Sequence, residues 1–211
     1  MQTIHYENRI PSILSPAPDF EANAYVYGKG VEKVKLSNYK GKYVVLFFWP
    51  LDFTFVCPTE ILQFSDKSDE FRKLDCELLG ISVDSEFSHE QWCKRPRDEG
   101  GLGAMKIPLV SDLTKNISNS YGCLIPSEGF SFRATYIIDD KGILRHISIN
   151  DTPVGRNVDE VLRTVKAFKH SDIFGEVCPA KWEPGQKTMK ASHEDPKTKE
   201  YFKDVHTKGG Q

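Results

Sequence analysis

The sequence contains no Cys-x-x-Cys pair, and its 211 residues include only five cysteines. An odd and sparse set in a chain of this length does not match the disulfide framework of a small secreted domain. The missing pair also argues against a thioredoxin-type redox motif and against a zinc ribbon. Each cysteine must therefore be judged from its own surroundings. They are Cys57, Cys76, Cys93, Cys123 and Cys178.

Neither sign of charge dominates, because 28 Lys and Arg residues oppose 30 Asp and Glu residues, for a formal net charge of -2. With no basic excess and no basic amphipathic block, we expect no binding to nucleic acid or to a membrane surface. The longest apolar run, residues 43–50, is too short to cross a bilayer. The N-terminus lacks the apolar core of a secretory signal, so we expect a cytosolic protein.

The order of patterns along the chain predicts an α/β domain with a mixed sheet. Apolar runs predict strands at residues 43–49, 77–83, 132–138 and 143–149, the last two joined by an Asp-Asp-Lys-Gly hairpin turn. Helices are predicted over residues 57–74, 86–97, 112–120 and 158–169. After Phe174 the pattern stops. Residues 176–211, rich in Lys, Pro and Gly, are expected to form an arm outside the core.

Cys57 follows the strand predicted at residues 43–49 and stands at the first turn of the next predicted helix. The free N–H groups and the positive dipole end of such a turn favour a thiolate over a thiol. Thr54 lies three residues earlier, so its hydroxyl could reach the sulfur across the turn. Pro50 and Pro58 stiffen both sides of the loop and limit solvent access. A cysteine placed in this way can act as a nucleophile at neutral pH.

Charged residues around this position point to peroxide chemistry. Glu60 lies one helical turn beyond Cys57, and its carboxylate would oppose a thiolate unless an arginine neutralised it. Arg133 is a charge inside an otherwise apolar strand, and such a charge is usually held by a partner. A thiolate, a hydroxyl and a guanidinium suit a peroxidic O–O group, and attack on it gives a sulfenic acid. A second thiol must resolve that acid, and Cys178 in the arm could supply it.

Two segments resemble the typical 2-Cys peroxiredoxins: the active-site loop at residues 50–60 (PLDFTFVCPTE) and the resolving segment at residues 175–182 (GEVCPAKW). The resemblance extends from about residue 16 to residue 202. It implies a thioredoxin-like fold with a central mixed sheet flanked by helices, and two parts, a peroxidase domain over 1–174 and a C-terminal arm over 175–211. It also implies a thiol-dependent peroxidase that reduces hydrogen peroxide and small organic hydroperoxides without a metal, haem or flavin.

The same resemblance implies roles for individual residues and for partners. Cys57 would be the peroxidatic cysteine, and Cys178 the resolving cysteine of the partner subunit. The side chains implied around the sulfur are those of Pro50, Thr54 and Arg133, with Glu60 and Arg156 as a supporting hydrogen-bond network. Family members form dimers that assemble into decameric rings, and thioredoxin is the expected reductant. Without the resemblance, both arginines would fit ordinary salt bridges equally well.

Two further features match the peroxiredoxins that excess peroxide inactivates easily. They are Gly100-Gly101-Leu102-Gly103 and Tyr201-Phe202. In that subgroup the two motifs pack together and slow disulfide formation, which gives the sulfenic acid time to become a sulfinic acid. Nine residues follow the second motif here, at positions 203–211, and could loosen the arm.

Structural roles for the other cysteines and alternative functions for the protein stay open at this point. Cys76 and Cys123 flank apolar runs and are expected to be structural. Cys93, beside Lys94 and Arg95, is expected to be a non-catalytic surface thiol. A holdase chaperone or redox relay is an alternative function, in which the ring or its mixed disulfides are the active species. A general disulfide reductase is a weaker alternative, because the sequence lacks a Cys-x-x-Cys pair.

Overall fold

The central apolar run of the sequence becomes an inner strand of a seven-stranded sheet. The structure is a computed structural model that describes residues 9–207, and it divides between Arg156 and Asn157 into two units. The strands of the first unit are β1 (Glu21–Val26), β2 (Gly30–Lys35), β3 (Tyr43–Phe48), β4 (Cys76–Ser82), β5 (Leu109–Ser111), β6 (Leu124–Ile125), β7 (Phe130–Ser131), β8 (Arg133–Ile138) and β9 (Leu144–Asn150). Its α-helices are α1 (Val56–Asp66), α2 (Ser68–Arg72), α3 (Glu86–Lys94) and α4 (Asn116–Ser120). The second unit contains α5 (Val158–Phe174) and α6 (Pro196–Thr207).

The sheet is mixed, with the strand order β2-β1-β5-β4-β3-β8-β9. Strand β3 pairs in parallel with β4 and antiparallel with β8, and β4 pairs in parallel with β5. Strand β9 lies at one edge and pairs antiparallel with β8, with Arg133 opposite Asn150. The mixed sheet expected from the sequence is therefore present, and its register brings the start of β8 next to the end of β9.

Alternate side chains of β3 pack on opposite faces of the sheet, because successive residues of a strand point to opposite sides. On one face Phe47 stacks on Phe64 of α1, with ring centroids 4.1 Å apart. On the other face Phe48 contacts Tyr121, just after α4, and Tyr136 of β8, each at 5.7 Å. Helices of the first unit thus cover both faces. The Phe47–Phe64 contact fixes α1, the helix that carries Cys57, directly on the sheet.

Helix boundaries differ from the predicted ones where local backbone geometry intervenes. The helix predicted over residues 57–74 is divided into α1 and α2 at Lys67, which has φ -87° and ψ 0°. The helix predicted over 158–169 continues to Phe174, where Gly175 ends it in a left-handed conformation with φ 58°. Among the described residues, no helix is both long and apolar enough to cross a membrane.

The arm expected to lack regular pattern contains a helix, so that expectation was wrong for α6. The carboxylate of Asp195 accepts a hydrogen bond from the backbone N–H of Lys197 at 2.9 Å. Pro196 is the first helical residue, where its missing N–H costs nothing. A capping aspartate followed by proline is thus the start signal of α6. The predicted division of the chain after residue 174 stays a prediction.

Candidate active site

Cys57 is the second residue of α1, and its side chain is fully buried. This position agrees with the predicted strand-to-helix transition. A cavity of about 320 Å³ adjoins the thiol. Its lining comprises Pro50, Leu51, Thr54, Phe55, Val56, Cys57, Phe130, Arg133, Thr152 and Pro153. The thiol therefore lies buried beside a cavity whose size suits a small molecule.

Arg133, the first residue of β8, holds its guanidinium against the sulfur. Nη1 donates to Cys57 Sγ at 3.3 Å and to Glu60 Oε2 at 2.8 Å. Nε donates to the backbone carbonyl of Thr152 at 2.6 Å. The side chain is only 5% exposed. These bonds fix the planar group from two sides and leave its charge directed at the sulfur, where it favours a negative charge.

Glu60 lies between two arginines and offsets part of their charge. Its Oε1 accepts from the backbone N–H and from Nε of Arg156, both at 2.8 Å. Its Oε2 accepts from Arg156 Nη2 at 3.1 Å and from Arg133 Nη1 at 2.8 Å. Burial alone would raise the pKa of Glu60, but the Arg156 charge and hydrogen bonds, with Arg133, outweigh it and hold that pKa below its ordinary value. A thiolate at Cys57 would balance the remaining positive charge of this group.

Thr54 and Pro50 both line the cavity beside Cys57. The Thr54 hydroxyl donates to the backbone carbonyl of Leu51 at 2.8 Å, so its hydrogen closes a turn within the loop. The sequence suggested that this hydroxyl could reach the sulfur across the turn, whereas the hydrogen bond it donates is to the loop backbone. Pro50 is buried next to the strand end and forms part of the apolar wall.

Comparison with known proteins identifies the family. The sequence profile of the AhpC/TSA family matches residues 13–147, and that of the C-terminal domain of 1-Cys peroxiredoxin matches residues 167–204. A peroxiredoxin of Cynops pyrrhogaster is 60% identical over 187 residues, which cover 89% of this chain and 92% of that protein. The chain belongs to the peroxiredoxin family.

Solved structures agree with this assignment. The reduced 2-Cys peroxiredoxin of Plasmodium vivax superposes with a TM-score of 0.85 and is 44% identical, covering 87% of this chain and 96% of that chain. Thioredoxin peroxidase I of Plasmodium yoelii gives a TM-score of 0.73 at 43% identity, covering 82% of this chain and 100% of that chain. The predicted thioredoxin-like fold and the predicted peroxidase, an oxidoreductase, are confirmed.

The loop that precedes Cys57 is joined to α3 by a buried hydrogen-bond network that sequence reasoning missed. Asp52 Oδ1 accepts from the Trp49 indole at 3.0 Å, and Oδ2 accepts from Ser88 Oγ at 2.8 Å and lies 2.8 Å from His89 Nδ1. The backbone N–H of Asp52 donates to Asp84 at 2.9 Å. Burial, and next the Asp52 charge, raise the pKa of Asp84. No local pattern signals the contacts between Asp52 and α3, because Asp52 and His89 are 37 residues apart.

Cys178 lies in the second unit, half-buried and held against α5. Its thiol donates to the backbone carbonyl of Ala167 at 3.6 Å. The neighbouring Val177 pairs with Met189 through backbone hydrogen bonds of 2.8 and 3.1 Å. Burial, and next the charge of Glu176, raise the pKa of the Cys178 thiol. Cys178 is thus held on α5 by its own thiol and by the backbone pairing of its neighbour.

Cys93 is buried, and the prediction of a surface thiol was wrong. It shares the buried side of α3 with His89 and Trp92. Burial, and next the charge of a nearby aspartate, raise the pKa of Cys93 to about 12, so it stays protonated at neutral pH. Cys76 and Cys123 are buried and form no disulfide in the described part of the chain, as expected for structural residues.

Residues 100–103 form a tight turn after α3. Gly100 has a positive φ of 79°, and its carbonyl accepts a hydrogen bond from the Trp92 indole at 2.9 Å. A Cβ atom at Gly101 would lie 2.0 Å from the backbone carbonyl oxygen of Arg95, which leaves no room for any side chain. The turn depends on glycine at both positions, for different reasons.

Tyr201 and Phe202 are neighbours on α6, and their rings meet edge to face with centroids 5.6 Å apart. Tyr201 is partly buried and Phe202 is exposed. They belong to the second unit, whereas residues 100–103 belong to the first. The predicted packing of the two motifs therefore stays a prediction.

Proposed function

We propose that this peroxiredoxin reduces hydrogen peroxide and small organic hydroperoxides through a sulfenic acid on Cys57. One observation carries the proposal: the Arg133 guanidinium lies 3.3 Å from the sulfur, within a cavity of about 320 Å³. The thiolate attacks one peroxide oxygen, the O–O bond breaks, and the other oxygen leaves with the electron pair. It takes up a proton and departs as water or an alcohol, while the sulfur becomes a sulfenic acid.

The surrounding residues favour the charges that this step needs. Arg133 can stabilise the thiolate first and the leaving oxygen afterwards, because its Nη1 points to the reacting sulfur. Glu60 and Arg156 hold that guanidinium in place through buried ion pairs. Pro50 and Thr54 form part of the wall of the cavity beside Cys57.

The second half of the proposed cycle uses Cys178 of the partner subunit. Its thiol attacks the sulfenic acid, an S–S bond forms, and the hydroxyl leaves as water. A dithiol protein such as thioredoxin then reduces this disulfide to two thiols and itself becomes a disulfide. Support comes from the resolving motif at residues 175–182 and from the 43% identical relative called a thioredoxin peroxidase.

We also propose that protomers pair into dimers that assemble into a decamer. Three large aromatic side chains on or near the active-site loop are exposed, namely Phe53, Phe55 and Phe87. Exposed aromatic groups of this size favour association between chains. The motifs at residues 100–103 and 201–202 support sensitivity to excess peroxide, in which the sulfenic acid of Cys57 is oxidised further to a sulfinic acid.

Three variants test the cycle on non-reducing gels after one equivalent of hydrogen peroxide. We expect Cys57→Ser to consume no peroxide. Cys178→Ser should consume one equivalent per subunit without forming a disulfide-linked dimer. Cys93→Ser is the matched control and should cross-link like the wild type. Wild-type turnover by Cys57→Ser, or dimers formed by Cys178→Ser, would contradict the proposal.

A further inference from the structure

One carboxylate gathers several segments of the second unit around the resolving cysteine. Glu176, two residues before Cys178, accepts at Oε2 from His170 Nε2 of α5 at 3.1 Å and from the hydroxyl of Thr188. Its Oε1 accepts from Lys197 Nζ of α6 at 2.6 Å. A single side chain therefore links α5, the chain at residue 188 and α6.

The surroundings of the Glu176 carboxylate favour its ionised form. Hydrogen bonds from Lys197, Thr188 and His170, in that order, lower the pKa of Glu176 to about 2. Lys190 adds a further positive charge, with its Nζ 3.9 Å from Oε1. The Glu176 side chain is 12% exposed, so these partners replace most of its contact with water. We call Glu176 and its three hydrogen-bond donors the Glu176 clamp.

The clamp lies two residues before Cys178, and the segment that carries Cys178 must move before its thiol can react. In the structure the Cys178 thiol donates a hydrogen bond to the Ala167 carbonyl, and the backbone of Val177 is hydrogen-bonded to that of Met189. A disulfide brings two sulfur atoms to about 2.05 Å. Because Cys57 is fully buried and Cys178 is docked on α5, neither sulfur can reach that distance without local opening. Release of Cys178 from α5 is therefore a step in disulfide formation.

We propose that Glu176 is a positioning residue that holds the resolving segment on α5 and limits the rate at which Cys178 is released to form the disulfide. The inference rests on the proposed function, in which the Cys178 thiol attacks the Cys57 sulfenic acid and water leaves. Slower release lengthens the life of the sulfenic acid. The clamp thereby sets how often the sulfenic acid meets a second peroxide instead of a thiol.

Four variants of the full-length protein test the clamp. Glu176→Gln removes the charge, and Lys197→Met removes one donor while keeping that charge. Lys197→Arg is the conservative variant, because it retains a donor. Glu194→Gln is the matched control, since Glu194 makes an exposed ion pair with Lys199 at 2.7 Å. Peroxide consumption in a single turnover and disulfide formation on acid-quenched, non-reducing gels are followed separately.

We expect Glu176→Gln and Lys197→Met to accelerate disulfide formation about threefold, the range of a partly exposed ion pair. Lys197→Arg and Glu194→Gln should behave like the wild type, and peroxide consumption should be unchanged in all four. Lys197→Met is decisive. Glu176→Gln could also act by removing a charge beside the thiol of Cys178, whereas Lys197→Met leaves that charge in place.

Two results would overturn the inference, and they differ from each other. A wild-type rate of disulfide formation in Lys197→Met, with peroxide consumption intact, would refute the clamp alone, whatever the rate in Glu176→Gln. Absence of a Cys57–Cys178 disulfide in the wild-type protein would refute the proposed resolution step, and the role of Glu176 with it.

Discussion

Replacing Glu60 by glutamine isolates the charge at the centre of the site while keeping the size of the side chain. The carboxylate accepts four hydrogen bonds, three from Arg156 and one from Arg133. An amide has one acceptor oxygen in place of two, and its NH₂ group would face a guanidinium that also only donates. The variant therefore leaves two buried cations with one weak acceptor between them.

The expected loss follows from the burial of all three groups, each of which is at most 5% exposed. Breaking a buried ion pair by removing one partner costs about 3–5 kcal/mol. The glutamine oxygen retains part of the bonding, so we expect the free energy of unfolding to fall by about 3 kcal/mol. With a denaturant slope of about 2 kcal/mol per M, the urea midpoint should fall by about 1.5 M.

The loss should depend on pH in a defined direction. The folded state holds the pKa of Glu60 below its ordinary value of 4.5. The stabilisation is therefore fully present above pH 4.5 and is lost as the pH falls through the lowered folded-state pKa. The variant lacks this contribution at every pH. The difference between wild type and Glu60→Gln should thus be largest near neutrality and shrink in acid.

Urea unfolding at a fixed protein concentration measures both effects, since association between chains adds to stability. Glu90→Gln is the control, because Glu90 forms a partly exposed ion pair with Lys94 at 2.9 Å and its loss should cost less than about 0.5 kcal/mol. A Glu60→Gln protein as stable as this control at pH 7 would refute the reasoning.

Further variants test the site and its surroundings. Arg133→Lys should slow the reaction of Cys57 with peroxide about 10²-fold in stopped flow, because an ammonium cannot reproduce the guanidinium contacts; a near-wild-type rate would remove Arg133 from the mechanism. Cys93, with its pKa raised to about 12, should resist iodoacetamide at pH 8 in the folded protein; mass spectrometry finding it labelled as fast as in urea would contradict this. Gly101→Ala should reduce the urea midpoint more than Gly100→Ala, because a Cβ atom at Gly101 would lie 2.0 Å from the carbonyl oxygen of Arg95. At Gly100 a Cβ atom meets nothing within 4 Å, so alanine there costs only the left-handed backbone, about 1–2 kcal/mol. Equal losses of the urea midpoint would contradict this.

Short-range signals made the position of Cys57 predictable. An apolar run that ends just before the cysteine is enough to place a strand and then a helix. A carboxylate so close to a thiolate also predicted a cation near Glu60, and the structure has two, Arg133 and Arg156. The identity of these partners could not come from pattern alone, because Arg156 is 96 residues from Glu60 and meets it only in the folded chain.

The prediction for Cys93 failed because it relied on the charged neighbours in the sequence. Helical spacing gives a different answer, since residues three and four apart lie on the same side of a helix. His89, Trp92 and Cys93 follow that spacing and are all buried. The helical spacing of these residues was visible in the sequence, and it is a better guide to the burial of Cys93 than the charges of its immediate neighbours.

Helix α6 was not predicted, although the sequence contains a signal for its start. Asp195 and Pro196 have the order of a cap and a first helical residue. Tyr201 and Val205 follow at a spacing of four. Low overall apolar content hid these cues, because a helix rich in lysine resembles a solvated tail.

The three tryptophans of the chain are all buried, and each indole N–H donates to a different part of the molecule. Trp49 donates to the Asp52 carboxylate in the loop before Cys57 at 3.0 Å, Trp92 to the glycine turn at 2.9 Å, and Trp182 to the backbone carbonyl of Gln186 at 3.1 Å. Indole emission shifts in colour and intensity when such a bond breaks and water enters. The tryptophan fluorescence of this chain can therefore report on local opening. In a variant that keeps one tryptophan and has phenylalanine at the other two positions, the change in emission would measure the rate of opening of one part alone.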